Sequence, residues 1–335
     1  MFLSYIFLIV LLFQVKAEES TLQVKLEDGT VVQGHKTPKD TLQWQGIPYA
    51  KAPIGDLRFT STAKPDPITD HVYEANYLAP GCPQSCNLPD GSCSLSGYSE
   101  DCLYLTINAP SSDETPPEGG YPVFFWIHGG AYSQGLGDCD LYDGTKLAQQ
   151  KVVNVIINYR LGALGFMASK SMTGNYGLMD QIQALQWTKS NIAGFNGNPD
   201  KITIAGQSAG GESVGTLITS PDTQGLFSSA IMQSNPLALP MHTRDSATKN
   251  ANDVFEYCGC AKDDVECMRK VPADKIVEAQ DEAVEIDMKN LFINFLPFAP
   301  LVDPKQGPLP KQPFYAFQSG DFKPVPLLTG SVLEP

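Results

Sequence analysis

The chain has 335 residues, 42% of them hydrophobic and 18% charged, with 29 glycines and 26 prolines. That composition belongs to a folded globular protein and excludes disordered and collagen-like chains. Lys and Arg number 23 against 37 Asp and Glu, a formal net charge of −14, and this field repels phosphate backbones and anionic headgroups, which argues against nucleic acid as a partner.

Residues Met1 to Ala17 hold the apolar run Phe2 to Phe13 and then Val15-Lys16-Ala17, a small residue two places after a small apolar one. This pattern predicts a secretory signal peptide over 1–17, cleaved after Ala17. The run is too short to cross about 30 Å of hydrocarbon as a helix, and no later segment reads as a membrane span, so a secreted, extracellular chain is expected. The chain has eight cysteines, and in an oxidising compartment an even count favours disulfides over free thiols or zinc. Cys82, Cys86, Cys93 and Cys102 form one cluster, Cys258, Cys260 and Cys267 a second, with Cys139 between them. A zinc site would need paired short spacings, usually with histidine, and neither is present; no metal is expected.

After the signal, Leu22, Val24 and Leu26 alternate with polar residues up to Asp28-Gly29, and Thr30 to Val32 resumes the pattern, which predicts a hairpin. Ala109 to Gly120 reads as a polar surface loop. Val123 to Ile127 and Val152 to Ile157 read as buried strands, apolar on both faces, as in a sheet covered by helices on both sides. Leu178, Ile182, Leu185 and Ile192 fall on one stripe and predict a helix over Gly177 to Asn191. Asn198-Pro199-Asp200 then breaks the chain before a short strand, Lys201 to Ala205. The alternation of strand, helix and strand predicts a parallel sheet of crossover units in one large α/β domain over 18–335. Ala273 to Met288 reads as an acidic surface helix, and Pro297 to Pro313 as a proline-rich stretch of little periodicity.

The strongest chemical signal is Gly206-Gln207-Ser208-Ala209-Gly210, followed by Gly211, set between the strand Lys201 to Ala205 and a helical stretch Glu212 to Ile218. A tight strand-to-helix turn holds its serine in a cramped conformation, needs small neighbours, and projects Oγ at the carboxyl edge of the sheet. The helix amino terminus adds a positive dipole end. The second signal is His128-Gly129-Gly130-Ala131, directly after Val123 to Ile127, where small residues let backbone N–H groups turn toward an oxyanion. A phosphate-binding loop is the competing reading, but Gly129 to Gly137 lacks the Gly-Lys-Ser/Thr ending. His128 reads as a structural histidine beside the hole.

With these motifs the sequence closely resembles the type-B carboxylesterase and cholinesterase family of α/β-hydrolases. Further strings carry the resemblance over nearly all of the mature chain: QGIPYAKAPIGDLRF from Gln45, EDCLYL from Glu100, FFWIHGGAY from Phe124, NYRLGALGF from Asn158 and GNYGLMDQIQALQW from Gly174. It implies an α/β-hydrolase fold, a central and mostly parallel sheet flanked by helices, and hydrolysis of small-molecule carboxylic esters with neither cofactor nor metal. Ser208 matches the family's nucleophile, and the backbone N–H groups of Gly130, Ala131 and Ala209 match its oxyanion donors. Many members have glycine in place of Ala131, a change that a main-chain donor survives. The resemblance also implies disulfides Cys82–Cys102, Cys86–Cys93 inside it, and Cys260–Cys267, leaving Cys139 and Cys258 unassigned.

The family's acid follows a segment of the form LLxG, and here PLLTGSVLEP offers Glu334, one residue earlier than the usual spacing. The family's base is a histidine after the acid, whereas His35, His71, His128 and His242 all precede Glu334. The family domain is much longer than this chain, so the sequence reads as its amino-terminal part, incomplete on the carboxyl side and inactive alone. The rival is a non-catalytic, esterase-like binding or adhesion protein. For substrate, cholinesterases hold the choline cation on a tryptophan inside the first disulfide loop; here the tryptophans are Trp44, Trp126 and Trp187, all outside Cys82 to Cys102. Gln207 stands where many members have glutamate, and Met241 where cholinesterases carry tryptophan. Neutral esters without a preference for choline are the expected substrates.

Overall fold

The computed structural model describes residues 22–332 apart from 90, 95, 112, 238, 285–294 and 306, so the signal peptide assigned to 1–17 and Glu334 lie outside the described residues. Strands β1 (Gln23–Lys25) and β2 (Val31–Gln33) form the expected antiparallel hairpin with Val24 opposite Val32. The Asp28 carboxylate closes its turn by accepting from the Thr30 N–H at 2.9 Å, a side-chain mimic of a backbone turn. Next come β3 (His35–Lys36), β4 (Leu42–Pro48), β5 (Tyr73–Glu74), β6 (Tyr104–Ala109), β7 (Tyr121–Ile127), α1 (Thr145–Gln149) and β8 (Val153–Ile157). The chain continues through α2 (Gly162–Phe166), α3 (Tyr176–Asn191), β9 (Gly197–Gln207), α4 (Ala209–Thr219) and β10 (Ser229–Gln233). Helices α5 (Arg244–Tyr257), α6 (Val265–Lys270), α7 (Ala273–Glu282) and α8 (Pro313–Ser319) precede the last strand, β11 (Leu327–Gly330).

Eight strands make the main sheet in the order β11-β10-β9-β7-β8-β6-β4-β3. The five strands from β11 to β8 run parallel, and β6, β4 and β3 join antiparallel. This is the mostly parallel sheet expected of an α/β-hydrolase. The two faces are unequal. Phe125, Val155, Ile204 and Ala230 point into the main core, where α3 and α4 pack on the sheet. On the opposite face Trp126, Ile156 and Ala205 form a small separate cluster with Phe124, Tyr142 and Ile231 half-buried against it. Helix α1 covers that face near β6 and β8.

Three expectations need correction. Strand β9 starts at Gly197, not Lys201: Tyr121 pairs with Gly197 and Val123 with Ile202, so the segment around Pro199 is absorbed as an irregularity and does not end the strand. Helix α4 starts at Ala209 rather than Glu212, with Ser208 as its N-cap residue. Helix α7 is not a surface helix throughout, because Ile276, Val277, Ala279 and Gln280 are buried where it packs on α2 and α5; positions 285–288 lie outside the described residues. Among the described residues no helix is long and apolar enough to cross a membrane.

Candidate active site

Ser208 sits between β9 and α4 with φ 56° and ψ −124°. Such a backbone costs a non-glycine residue about 1–3 kcal/mol and persists only where the surroundings enforce it. The surroundings are tight. A Cβ on Gly206 would lie 2.4 Å from the Gly210 carbonyl, and one on Gly210 would lie 2.1 Å from the Ile127 oxygen. The Ser208 N–H donates to the Gln233 carbonyl at 3.0 Å, and the Ser208 carbonyl accepts from the Glu212 N–H at 2.9 Å. The serine is thereby fixed at the carboxyl edge of the sheet, partly open to solvent.

The loop after β7 comes up against this turn. A Cβ on Gly129 would stand 2.5 Å from the Gln207 oxygen and 3.3 Å from Ser208 Cβ, so only glycine permits the approach. Gly130, Ala131 and Tyr132 follow with φ of 113°, 56° and 59°, a left-handed turn whose Gly130 carbonyl accepts from the Ser133 and Gln134 N–H groups at 3.1 and 3.0 Å. The structure therefore brings Gly129 against Ser208, with Gly130 and Ala131 the next residues of that loop and Ala209 the residue after the serine, at the start of α4. Beside them opens a cavity of about 540 Å³ walled by Gln207, Gly129, Gly130, Tyr142, Leu88 and Pro89.

A sequence profile described as "Carboxylesterase family" matches residues 20–334. The chain belongs to the carboxylesterase family. It is 37% identical to the cAMP-regulated D2 protein of Dictyostelium discoideum, over 98% of this chain and 62% of that protein. It is 38% identical to the para-nitrobenzyl esterase of Bacillus subtilis (strain 168), over 86% of this chain and 58% of the relative. A solved thermophilic PNB esterase superposes with a TM-score of 0.83 at 36% identity, covering 94% of this chain and 64% of the other. The chain thus spans about three-fifths of the length of these curated relatives.

Family motifs also account for the site's support. His128 is buried, its Nδ1 donates to the Gly129 carbonyl at 2.8 Å, and its ring stacks on Tyr159 at 4.5 Å. Burial pushes its pKa down to about 4, against the raising effect of the Gly129 hydrogen bond, so it is a neutral structural residue. The other histidines lie elsewhere in the fold. His71 pairs with Asp70 on the surface, His242 lies between Ser246 and the Leu296 carbonyl, and His35 is in β3. None of the four hydrogen bonds to Ser208. Behind the site the Asp180 carboxylate on α3 accepts from Arg160 Nε at 2.8 Å, its Nη2 at 2.7 Å and its backbone N–H at 3.0 Å.

Cys82–Cys102, Cys86–Cys93 and Cys260–Cys267 are bonded as the family resemblance implies. Cys139 and Cys258 are free thiols whose pKa values burial raises. Trp44, Trp126, Trp187 and Met241 are all buried. Two features escaped sequence reasoning: the Arg160–Asp180 pair and Glu212, buried on α4 with Tyr132. The available signal for the second was a lone acid in the otherwise small and apolar run Ala209 to Ile218.

Proposed function

We propose that this chain carries the acyl-transfer centre of a secreted serine carboxylesterase. Ser208 Oγ attacks the ester carbonyl, the N–H groups of Gly130, Ala131 and Ala209 hold the oxyanion, the ester C–O bond breaks so that the alcohol leaves with the proton given up by the Ser208 hydroxyl, and water then cleaves the acyl-enzyme to the carboxylic acid and returns a proton to Ser208 Oγ. The observation that carries this reading is the strained Ser208 turn pressed against the Gly129 loop. Glu334 fills the role of the acid that orients the base, on the strength of the LLTG segment before it. The four histidines of the chain are not assigned as base, since none of them hydrogen bonds to Ser208. Secretion is supported by the leader pattern in Met1 to Ala17 and by three disulfides. Neutral esters are the proposed substrates, because the buried tryptophans offer no indole face to a quaternary cation and Gln207 adds no charge.

The rival reading is a non-catalytic binding protein on an esterase scaffold; among the described residues no histidine hydrogen bonds to Ser208. A fluorophosphonate probe decides between them on the protein secreted by its source. Covalent labelling of Ser208, lost in Ser208→Ala with turnover falling about 10⁶-fold as in a serine protease, supports the esterase. Labelling that survives in Ser208→Ala places the nucleophile elsewhere, and a native secreted protein that takes no label favours the rival.

A further inference from the structure

The loop after β7 has four glycines in nine residues, Gly129, Gly130, Gly135 and Gly137, and no helix or strand runs through it. Glycine is the residue least able to hold a backbone in place by itself, yet oxyanion donors are worth most when they are fixed before the reaction begins. The restraint must therefore come from outside the loop. Its near end is held at Gly129 by the Gln207–Ser208 turn. Its far end is Gly135, buried and with φ 114°. The two ends close on one another, since a Cβ on Gly135 would lie 2.6 Å from both the Gly129 oxygen and His128 Nδ1.

Both main-chain polar groups of Gly135 go to one side chain. Gln84 Oε1 accepts from the Gly135 N–H at 2.7 Å, and Gln84 Nε2 donates to the Gly135 carbonyl at 2.8 Å. This is the pairing a neighbouring strand would offer, and it sets the orientation of the amide, because a flipped amide would turn donor to donor and acceptor to acceptor. Gln84 is itself fixed. It is 7% exposed, its Nε2 also donates to the Cys82 carbonyl at 3.0 Å, and Cys82 is bonded to Cys102, two residues before β6. A more exposed tie joins the same two segments, the Asn87 N–H donating to Gln134 Oε1 at 2.8 Å.

We propose that Gln84 is a positioning residue of the oxyanion loop: its carboxamide clamps the main chain of Gly135 and so holds the loop that begins at Gly129 against the Ser208 turn, fixing the N–H groups of Gly130 and Ala131. The proposal rests on reading Ser208 as the nucleophile. An apolar side chain of equal size would fill the same space and leave two buried main-chain groups of Gly135 unpaired, a cost the loop escapes only by moving. Movement at Gly135 is passed on. Gly135 packs on the Gly129 carbonyl, and the Gly130 carbonyl accepts from the Ser133 and Gln134 N–H groups that lead into it. The Cys82–Cys102 bond, by setting where Gln84 stands, makes the first disulfide loop part of the support of the site.

The test is Gln84→Met, close to glutamine in volume, made in the protein as its source produces it. Hydrogen exchange by mass spectrometry over 129–137 should speed about tenfold while β7 and β9 keep their protection. Hydrolysis of p-nitrophenyl acetate should lose about 10²-fold in kcat with KM little changed, the effect of a small misplacement of catalytic groups, and fluorophosphonate labelling of Ser208 should slow in step. A role confined to stability would lower the urea midpoint and spare the kcat of the folded protein; that result, unchanged exchange over 129–137, or a loss in KM alone overturns the proposal. Gln84→Asn, whose amide stops one carbon short of Gly135, should lose about tenfold in kcat and decides the matter should Gln84→Met not fold, wild-type kcat in it overturning the proposal. Wild type that shows neither turnover nor label, while Gln84→Met still loosens 129–137, means instead that the esterase reading has failed.

Discussion

Replacing Asp180 with alanine should destabilise the fold by about 3–5 kcal/mol, the usual cost of stranding one member of a buried ion pair. Asp180 is 0% exposed and Arg160 5%. The carboxylate accepts from Nε, Nη2 and the backbone N–H of Arg160, and the Thr62 hydroxyl also donates to it. After its removal the guanidinium keeps the Thr60 carbonyl at 3.0 Å, the Thr62 hydroxyl at 3.1 Å and the Tyr176 ring at 5.3 Å. Those remaining partners place the loss at the lower end, about 3 kcal/mol. Against a total stability of about 5–15 kcal/mol this is a large fraction. Urea denaturation followed by circular dichroism should show the midpoint falling by about 1 M at an m-value near 3 kcal/mol/M. The double variant Arg160→Leu, Asp180→Leu should recover most of the loss, since it leaves no uncompensated charge. An alanine variant within about 1 kcal/mol of wild type, or a double variant no better than the single, would refute the reasoning.

Gly210→Ala places a methyl 2.1 Å from the Ile127 oxygen, a backbone atom that cannot swing aside; the expected cost is about 1–3 kcal/mol together with loss of fluorophosphonate labelling. Gly330→Ala, which meets nothing within 4 Å, should stay within about 0.5 kcal/mol by the same urea measurement. His128, with its pKa depressed from 6.5 to about 4, binds a proton later in the folded than in the unfolded state. Its share of stability is complete above pH 6.5 and is lost as pH falls toward 4, about 3 kcal/mol in all; His128→Phe, which keeps a ring against Tyr159, should flatten that part of the stability-pH curve. If the proposed function holds, the native protein should hydrolyse acetylcholine no faster than a neutral ester of the same acyl length, and a marked preference for acetylcholine would refute the substrate proposal.

What was legible in the sequence was local. The Asp28-Gly29 hairpin, the runs that became β7 and β8, and the Gly206 to Gly210 turn each write their geometry within about ten residues. Pro199 misled because proline ends a strand only when its missing N–H is needed by the ladder, and the irregular pairing of β7 with β9 removes that need. The buried side of α7 was hidden by its acids, which lie on the exposed face while Ile276 and Val277 point inward. Disulfide partners came from family resemblance, because spacing alone leaves the pairing open. Arg160 and Asp180 stand 20 residues apart in two different motifs, and nothing short of the folded chain says that they meet.

The two glycine motifs are the two sides of one contact, although some 80 residues separate them. Gly129 is excluded from carrying a side chain by Gln207 and Ser208, and Gly210 by Ile127 and His128. Each motif therefore sets the residue type tolerated in the other. The contact also dictates topology: β7 and β9 must be parallel neighbours for the loop after one to reach the turn after the other, and they are, with Ile127 opposite Gly206. Ala131 marks where the constraint relaxes, since the group offered there is a main-chain N–H and a methyl does not remove it. The methyl does add strain to a left-handed turn. Tyr132, the next residue, shares that left-handed conformation at 59°, and its buried ring meets Phe166 edge-on at 5.1 Å, so the strained pair is backed by the core.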